Sequence, residues 1–148
     1  MTTFRNGWRL IEYPAFTAQI DALSEEVARL RGSLADDAYA RHPRVKLLAR
    51  IRQIIEDEVP RDPNRPDYKL KGALSLWRRV KFNRRYRLFF RFDSRAKVIA
   101  YCWVNDEDSL RKEGDAGDPY VVFGRMIANN RPPETWADLV TQCADPKE

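Results

Sequence analysis

The chain has 148 residues, of which 43% are hydrophobic and 33% are charged, and its net charge is +5. This length predicts a single domain, residues 1–148, with enough apolar residues to bury a core. The sequence has no apolar run long enough to cross a bilayer, so we expect no membrane-spanning helix and no membrane partner. The N-terminal residues lack the apolar segment of a signal peptide, which predicts a cytoplasmic protein.

Residues that bind metals or form disulfides are few. The two cysteines, Cys102 and Cys143, are too few for a disulfide framework, and Cys102 is predicted to be a small core residue in a strand. The single histidine, His42, precedes a proline and is predicted to lie at the surface or to cap a helix. Neither CxxC nor HExxH spacing occurs. The sequence therefore predicts no metal ion and no cofactor.

The N-terminal part of the chain predicts a strand followed by a helix. Residues 7–13 contain aromatic and β-branched residues and are predicted to form a short strand. Pro14 suits the first turn of a helix, which we expect over residues 15–31, and Gly32 favours a helix end. Apolar residues recur every three or four positions along this helix. They are Phe16, Ile20, Leu23, Val27 and Leu30.

A second helix is predicted to run to about Val59, after the turn and cap residues 33–37. Pro43 leaves two possibilities, because the helix either begins there or kinks there. The two helices are expected to pack as an antiparallel pair. The proline-rich residues 60–67 end the second helix. Its apolar positions are Leu47, Leu48, Ile51, Ile54, Ile55 and Val59.

Positive charge is concentrated within residues 77–104. Between Leu76 and Arg95 there are eight basic residues and one acidic residue, a local charge of +7 against +5 for the whole chain. A concentrated basic patch is the electrostatic footprint of a polyanion or of an acidic partner. The eight residues are Arg78, Arg79, Lys81, Arg84, Arg85, Arg87, Arg91 and Arg95.

The basic stretch is predicted to form a β-hairpin, and its alternation of apolar and polar residues predicts the register. A two-residue loop would pair Phe82 with Arg85 and mix the two faces, whereas a three-residue loop pairs Phe82 with Tyr86. We predict the three-residue loop, which places Lys81 opposite Arg87. The other predicted pairs are Val80 with Leu88 and Arg79 with Phe89.

One face of this hairpin is then apolar and the other is basic. Like charges opposite each other are destabilising, so their presence indicates function more than stability. A solvated hairpin face is the alternative, and the functional hypothesis is an anion site, most simply for phosphates. The basic face carries Arg79, Lys81, Arg87 and Arg91 beside Trp77 and Phe89.

A third strand is predicted over residues 97–104, in which Ile99, Tyr101 and Trp103 could face either side of the sheet. The polar, turn-rich residues 105–117 follow. The order of elements predicts an α+β fold with a small antiparallel sheet, and with helices segregated to one face. The N-terminal two-helix hairpin packs on that face, and a C-terminal helix completes the fold.

The C-terminal helix is expected to begin at Asp118 and Pro119, which suit the cap and the first helical position. Pro132 and Pro133 end it, and a short final helical turn is expected near residues 136–140. The apolar face of the helix consists of Tyr120, Phe123, Met126 and Ile127.

Several motifs occur in one order along the chain: NGWRLIEYPAF, WRRVKFNRRYRLFFRF, VIAYCWVNDEDSLRKEG, DPYVVFGRM and PPETW. Together they resemble the YhaV family of toxins from bacterial toxin–antitoxin pairs, within the RelE-like superfamily. The resemblance covers nearly the whole chain. It implies a compact α+β endoribonuclease that associates with translating ribosomes, cleaves mRNA and so inhibits translation and growth.

The resemblance also implies partners. The cognate antitoxin of the family, PrlF, is a swapped-hairpin AbrB-like protein, and the toxin–antitoxin complex can repress its own operon. We therefore expect a PrlF-like antitoxin, mRNA and the ribosome as partners, with operator DNA bound only by the complex.

RelE-like toxins use basic residues of the first hairpin and an arginine and a tyrosine near the C-terminus. By position, Arg79 and Lys81 match the strand cations, and Arg87 matches the YR motif. Arg111 is the counterpart of the arginine after the last strand. Tyr120 is the counterpart of the C-terminal tyrosine, which could stack on a base or relay a proton. These five residues are the catalytic set that the resemblance implies. The residues expected to bind RNA are Trp77, Arg85, Phe89 and Arg91.

The expected reaction is attack by a ribose 2′-OH on the adjacent phosphate, which leaves a cyclic phosphate and a 5′-OH. Lys81 is the best-placed base, because neighbouring cations disfavour the charged form of its amine. Arg79 and Arg87 would hold the phosphate and stabilise its growing charge, so no metal ion is required. Asp106 and Glu107 are alternative bases.

Two other functions fit the same basic face. A non-catalytic module could bind RNA or DNA on it, with Trp77 and Phe89 beside the cations. Alternatively, a protein-interaction domain could use the face only to meet an acidic partner.

Overall fold

The computed structural model describes residues 2–105 and 117–147. These residues form an α+β fold, as predicted, and none of their helices has the length and apolarity needed to span a bilayer. The strands are β1 (Thr3–Arg5), β2 (Trp8–Glu12), β3 (Arg78–Phe82), β4 (Tyr86–Asp93) and β5 (Val98–Val104). The helices are α1 (Pro14–Ser33), α2 (Asp36–Arg41), α3 (Pro43–Gln53), α4 (Val59–Arg61), α5 (Pro119–Ala128) and α6 (Trp136–Gln142). A π-helical turn (Ile54–Glu58) joins α3 to α4.

The five strands form one sheet in the order β1-β2-β5-β4-β3. Neighbouring strands are antiparallel except β2 and β5, which are parallel, so the predicted antiparallel sheet is confirmed apart from this pair. Parallel pairing requires a long crossover, and the helices and the basic hairpin between β2 and β5 provide it. Strand β1 was also not predicted. It joins β2 through Asn6 and Gly7, whose φ angles of 50° and 81° suit a tight hairpin turn.

The basic hairpin has the predicted register. All four predicted pairs are present, including Lys81 opposite Arg87, and the loop between β3 and β4 has three residues. Asn83 and Arg84 adopt φ angles of 46° and 68° in this loop. The N–H of Arg85 donates to the carbonyl of Asn83 at 2.8 Å, which closes the turn.

The helices α1 and α3 begin at prolines. Pro14 begins α1, but the helix continues past Gly32 without a left-handed residue, so the predicted end at Gly32 is wrong. Pro43 begins α3 and does not kink it. His42 caps α3, because its Nδ1 accepts a hydrogen bond from the N–H of Arg44 at 3.1 Å. The predicted capping role of His42 is therefore confirmed.

The sheet has an apolar core on each face. Helices α1 and α3 cover one face, where they pack against Leu88 and Phe90 of β4. Helices α5 and α6 cover the other face, where Phe123 packs against Trp77 and Phe89. The predicted packing of the two N-terminal helices on one face is confirmed, whereas the prediction that all helices lie on that face is wrong. Large aromatic residues interrupt the basic face, and burying them requires a second helical layer.

A bulge in β5 puts Trp103 on the opposite face of the sheet from Ile99 and Tyr101. Phe89 pairs with Trp103 and Phe90 pairs with Tyr101, so Cys102 is an extra residue in β5. Consequently Tyr101 faces the first core, whereas Cys102 and Trp103 face the second. Strict alternation could not assign Ile99, Tyr101 and Trp103 to one side of the sheet, because the bulge places Trp103 on the other side. Cys102 is fully buried, as predicted.

We expect Phe123→Ala to lower the free energy of unfolding by about 3–5 kcal/mol. The Phe123 ring is fully buried, its centroid lies 4.2 Å from that of Phe89, and it meets Trp77 edge-on at 5.0 Å. Chemical denaturation measures this change. The control Val121→Ala lies in the same helix but is exposed, and it should change the free energy by less than about 0.5 kcal/mol. Equal losses in the two variants would contradict the packing of α5 on the second core.

Candidate functional site

The hydroxyl of Tyr120 joins two arginines from neighbouring strands. It accepts hydrogen bonds from Nε of Arg79 on β3 at 2.9 Å and from Nε of Arg87 on β4 at 3.2 Å. Tyr120 lies in the first turn of α5, whose start is capped by Asp118 as predicted, with Oδ1 accepting from the Tyr120 N–H at 2.8 Å. A hydroxyl has two acceptor lone pairs and one hydrogen. Both lone pairs are used here, which leaves the hydrogen of the Tyr120 hydroxyl available for donation to a third group.

Main-chain oxygens hold both guanidinium groups in place. Nη1 of Arg79 donates to the carbonyl of Asp67 at 2.6 Å. Nη1 of Arg87 donates to the carbonyls of Arg84 and Tyr86, each at 2.9 Å. These contacts restrict the rotamers of two long side chains, so their Nε–H groups meet at one point.

A pocket of about 160 Å³ opens beside this hydrogen-bonded group. Four cations and the Asp118 carboxylate line it, so positive charge predominates. Lys81 and Arg84 are exposed, which makes the pocket accessible to an anion from solvent. Its size and charge suit a phosphate group. The lining residues are Lys81, Arg84, Arg85, Arg87, Asp118, Pro119 and Tyr120.

The structure brings most of the predicted catalytic set together. Arg111 lies outside the described residues, as do Asp106 and Glu107, and their roles stay predictions. Arg85, predicted to bind RNA, lines the pocket. The predicted catalytic residues that meet at or beside the pocket are Arg79, Lys81, Arg87 and Tyr120.

Trp77 and Phe89 are not available to stack on RNA bases. Both side chains have no exposed surface, because α5 covers them and Phe123 packs on their rings. The prediction that they bind RNA is therefore wrong. They lie on the predicted face of the hairpin, but on that face only Lys81, near the loop, is exposed, and the arginines are half-buried.

Arg91 points toward α6 and away from the Tyr120 group. Its guanidinium lies over the rings of Trp77 and Trp136, at 5.3 and 5.7 Å from their centroids, and donates to the carbonyl of Glu134. Burial lowers the pKa of Arg91 from its usual value. These contacts give Arg91 a packing role, and its binding of RNA stays a prediction.

Asn105 was not singled out by the sequence analysis. It is 1% exposed and directly follows β5, and its side chain bonds to the main chain of Arg85 and of Arg87. Buried polar side chains need hydrogen-bonding partners. An asparagine directly after an apolar strand is the sequence signal that could have identified Asn105 as a buried, hydrogen-bonded residue.

Outside the pocket, the described residues offer no competing catalytic centre of the metal or thiol type. Residues 2–105 and 117–147 contain no group of three or more His, Cys, Asp and Glu side chains placed to hold a metal ion. Burial raises the pKa of the Cys102 thiol well above its usual value and that of Cys143 to about 12. Both thiols are therefore protonated and poorly nucleophilic near neutral pH.

Residues 10–144, which include the whole pocket, match the model of a family described as toxins with endonuclease activity, of toxin–antitoxin systems. The protein is therefore a toxin with endonuclease activity, of the toxin–antitoxin class. The family is the YhaV toxin family, and the chain belongs to it. The family resemblance inferred from the motifs is thus confirmed.

Two relatives match nearly the full chain. They are "Toxin YhaV" of Escherichia coli O6:H1 and "Ribonuclease toxin YhaV" of Escherichia coli K12, each 38% identical over 143 residues, which cover 93% of this chain and 92% of the relative. Among solved structures, the toxin–antitoxin complex RelBE2 from Mycobacterium tuberculosis aligns with a TM-score of 0.38 and 21% identity. That alignment covers 42% of this chain and 70% of the other.

We expect Tyr120→Phe to lower the rate of RNA cleavage by about 100-fold or more, because it removes a hydroxyl positioned for proton transfer. The free energy of unfolding should change by only about 1 kcal/mol, as the ring remains and the arginines can be hydrated. Cleavage of labelled RNA and chemical denaturation measure the two effects. Tyr39→Phe is the matched control, since the Tyr39 hydroxyl also accepts from an arginine, Arg31, at 3.4 Å. A Tyr120→Phe variant as active as this control would contradict the assignment.

Proposed function

We propose that this protein is a metal-independent endoribonuclease toxin that cleaves mRNA, in association with the ribosome, and thereby stops translation and growth. The observation that carries the proposal is the Tyr120 hydroxyl held between Nε of Arg79 and Nε of Arg87 beside a cationic pocket. Membership of the YhaV family supports the nuclease activity. The name of the relative from Escherichia coli K12, a ribonuclease toxin, supports RNA as the substrate.

The arginines supply the positive charge that the reaction needs. When the 2′-oxygen attacks phosphorus, negative charge accumulates on the non-bridging oxygens of the phosphorane. Arg79 and Arg87 can donate charge-assisted hydrogen bonds to these oxygens. Because main-chain carbonyls already hold the guanidinium groups, little reorganisation is needed at the moment of reaction. The proposed reaction therefore requires no metal ion.

Proton transfer is assigned to Lys81 and Tyr120. The 2′-hydroxyl gives its proton to the Lys81 amine as the new O–P bond forms, and the P–O5′ bond breaks as Tyr120 protonates the leaving 5′-oxygen. Lys81 lies opposite Arg87 and lines the pocket, and the Tyr120 hydroxyl accepts from both arginines, which leaves its own hydrogen for the leaving oxygen. The products are a cyclic phosphate and a 5′-OH, and solvent returns both groups to their starting protonation states.

The same pocket defines how a partner would neutralise the toxin. The toxin–antitoxin class implies a cognate antitoxin, which we propose is a PrlF-like, AbrB-type protein. An acidic segment laid over the exposed Lys81 and Arg84 would block phosphate binding. We further propose that operator DNA is bound only by the complex and that the toxin acts in the cytoplasm. The alternative of a non-catalytic RNA-binding module loses support, since its stacking residues Trp77 and Phe89 are buried.

The purified protein is expected to cleave labelled mRNA in EDTA, with faster cleavage when ribosomes are added. Arg87→Ala should reduce the cleavage rate by about 100-fold or more, the loss typical of removing one oxyanion-stabilising donor. Arg52→Ala is the control, because it removes one exposed arginine from α3 and should leave the rate unchanged. Binding of RNA without cleavage, with or without ribosomes, would favour the non-catalytic module. Cleavage that EDTA abolishes would overturn the metal-independent mechanism.

Lys81→Ala should slow the cleavage step by about 100-fold while weakening RNA binding by less than about tenfold. Its amine is expected to transfer a proton as well as to contact one phosphate. The salt dependence of binding should therefore lose a log–log slope of only about 0.7, the value for a single phosphate on single-stranded RNA. Single-turnover kinetics and titrations at several salt concentrations separate the two effects. Equal losses in rate and affinity would reduce Lys81 to a phosphate contact.

A further inference from the structure

We propose that Asn105, supported by Gln19, is a positioning residue that holds Arg87 in its productive place. The rate effect rests on the proposed ribonuclease function, whereas the positional effect does not. Asn105 is 1% exposed, and hydrogen bonds join it to Arg87 of β4 and to Arg85 of the preceding loop. Its Oδ1 accepts from the N–H of Arg87 at 2.6 Å, its Nδ2 donates to the carbonyl of Arg85 at 2.9 Å, and its own N–H donates to the carbonyl of Arg87 at 3.2 Å.

The side-chain amide of Asn105 continues the hydrogen bonding between β5 and β4 beyond the last pair of strand residues. Strand β5 ends at Val104, which pairs with Leu88, so no strand residue of β5 faces the main chain of Arg87. A carboxamide has the same donor and acceptor groups as a peptide unit. The Asn105 amide therefore satisfies main-chain groups of Arg85 and Arg87 on the side where the strand neighbour is missing.

A second amide fixes the end of β5 from its other side. Strand β2 pairs with β5 only as far as Tyr101. Beyond that point, Gln19 of α1 bonds to both main-chain groups of Val104: Nε2 donates to its carbonyl at 2.5 Å, and Oε1 accepts from its N–H at 3.1 Å. Gln19 thus holds Val104, the residue next to Asn105, while the Asn105 amide holds Arg85 and Arg87. Together the two side chains fix the position of Asn105 against β4.

This arrangement connects the end of β5 to the reacting groups. The Arg87 main chain is bonded to Asn105, and the Arg87 Nε is bonded to the Tyr120 hydroxyl at 3.2 Å. A shift of the Arg87 main chain would move its guanidinium away from Tyr120 and from the phosphate. Misplacement of a catalytic group by about 1 Å can cost about 100-fold in rate. The Asn105 side chain bonds to main-chain groups of Arg87 and Arg85. We therefore expect it to affect the reaction through the position of the Arg87 side chain.

The first test compares three variants in single-turnover cleavage of RNA. Asn105→Ala should lower the rate constant of cleavage by about 100-fold, with an RNA affinity close to that of the unmodified chain. Asn105→Asp keeps an acceptor for the Arg87 N–H and should restore part of the rate. The control Tyr101→Phe loses a buried side-chain bond to the main chain, to Ile55 at 2.8 Å, on the other core, and should cleave normally. Equal losses in Asn105→Ala and Tyr101→Phe would overturn the proposal.

The second test does not depend on cleavage. Hydrogen exchange of the arginine Nε–H groups, followed by NMR, should be at least about tenfold faster at Arg87 in Asn105→Ala, with Arg79 unchanged. Such a result in a protein that cleaves no RNA would support the positional inference and count against the proposed function. Unchanged exchange at Arg87 in folded Asn105→Ala would overturn the inference. If that variant does not fold, Gln19→Ala decides: faster exchange at Arg87 supports the inference, and unchanged exchange overturns it.

Discussion

The packing of Phe123 against Phe89 is the contact on which the site depends. Their ring centroids lie 4.2 Å apart, and this stacking seats α5 on the second face of the sheet. Tyr120, one turn earlier in α5, is carried with the helix, and its ring meets Phe89 edge-on at 5.9 Å. The hydroxyl then reaches Arg79 and Arg87. Burial of apolar surface thus assembles a cluster of cations that would repel one another if brought together alone.

Neutral partners position these cations while keeping their charge available. Arg79 and Arg87 are held by main-chain carbonyls and by the Tyr120 hydroxyl. A carboxylate in these positions would cancel much of the positive potential of the pocket, whereas a carbonyl or hydroxyl orients a guanidinium and leaves its charge intact. The side-chain amide of Asn105 adds neutral support of the same kind, because it bonds to the main chain of the strand from which Arg87 projects. The pocket therefore keeps its positive charge.

Local signals in the sequence predicted much of the fold and site. The strict alternation of the basic stretch predicted the hairpin register, because a shift of one residue would place Arg85 against Phe82. Asp118 before a proline predicted the start of α5, and therefore that Tyr120 lies in the first turn of this helix. The end of α1 was predicted wrongly, since Gly32 permits a helix to end but does not force it to.

The sequence by itself determined the register of the hairpin, the faces of its side chains and the start of α5, because these depend on alternation and capping within short segments. The tertiary structure decided that Tyr120 meets Arg79 and Arg87, because α5 reaches the hairpin through its packing on Phe89. Only the tertiary structure decided which part of the basic face stays open. Helix α5 buries Trp77 and Phe89, and Trp136 packs against the Arg91 guanidinium. A bulge in β5 places Trp103 on the opposite face from Tyr101. These outcomes depend on contacts between distant segments, which no local pattern encodes. The role proposed for Asn105 likewise depends on the tertiary structure, since its partners Arg85 and Arg87 lie in a distant part of the chain.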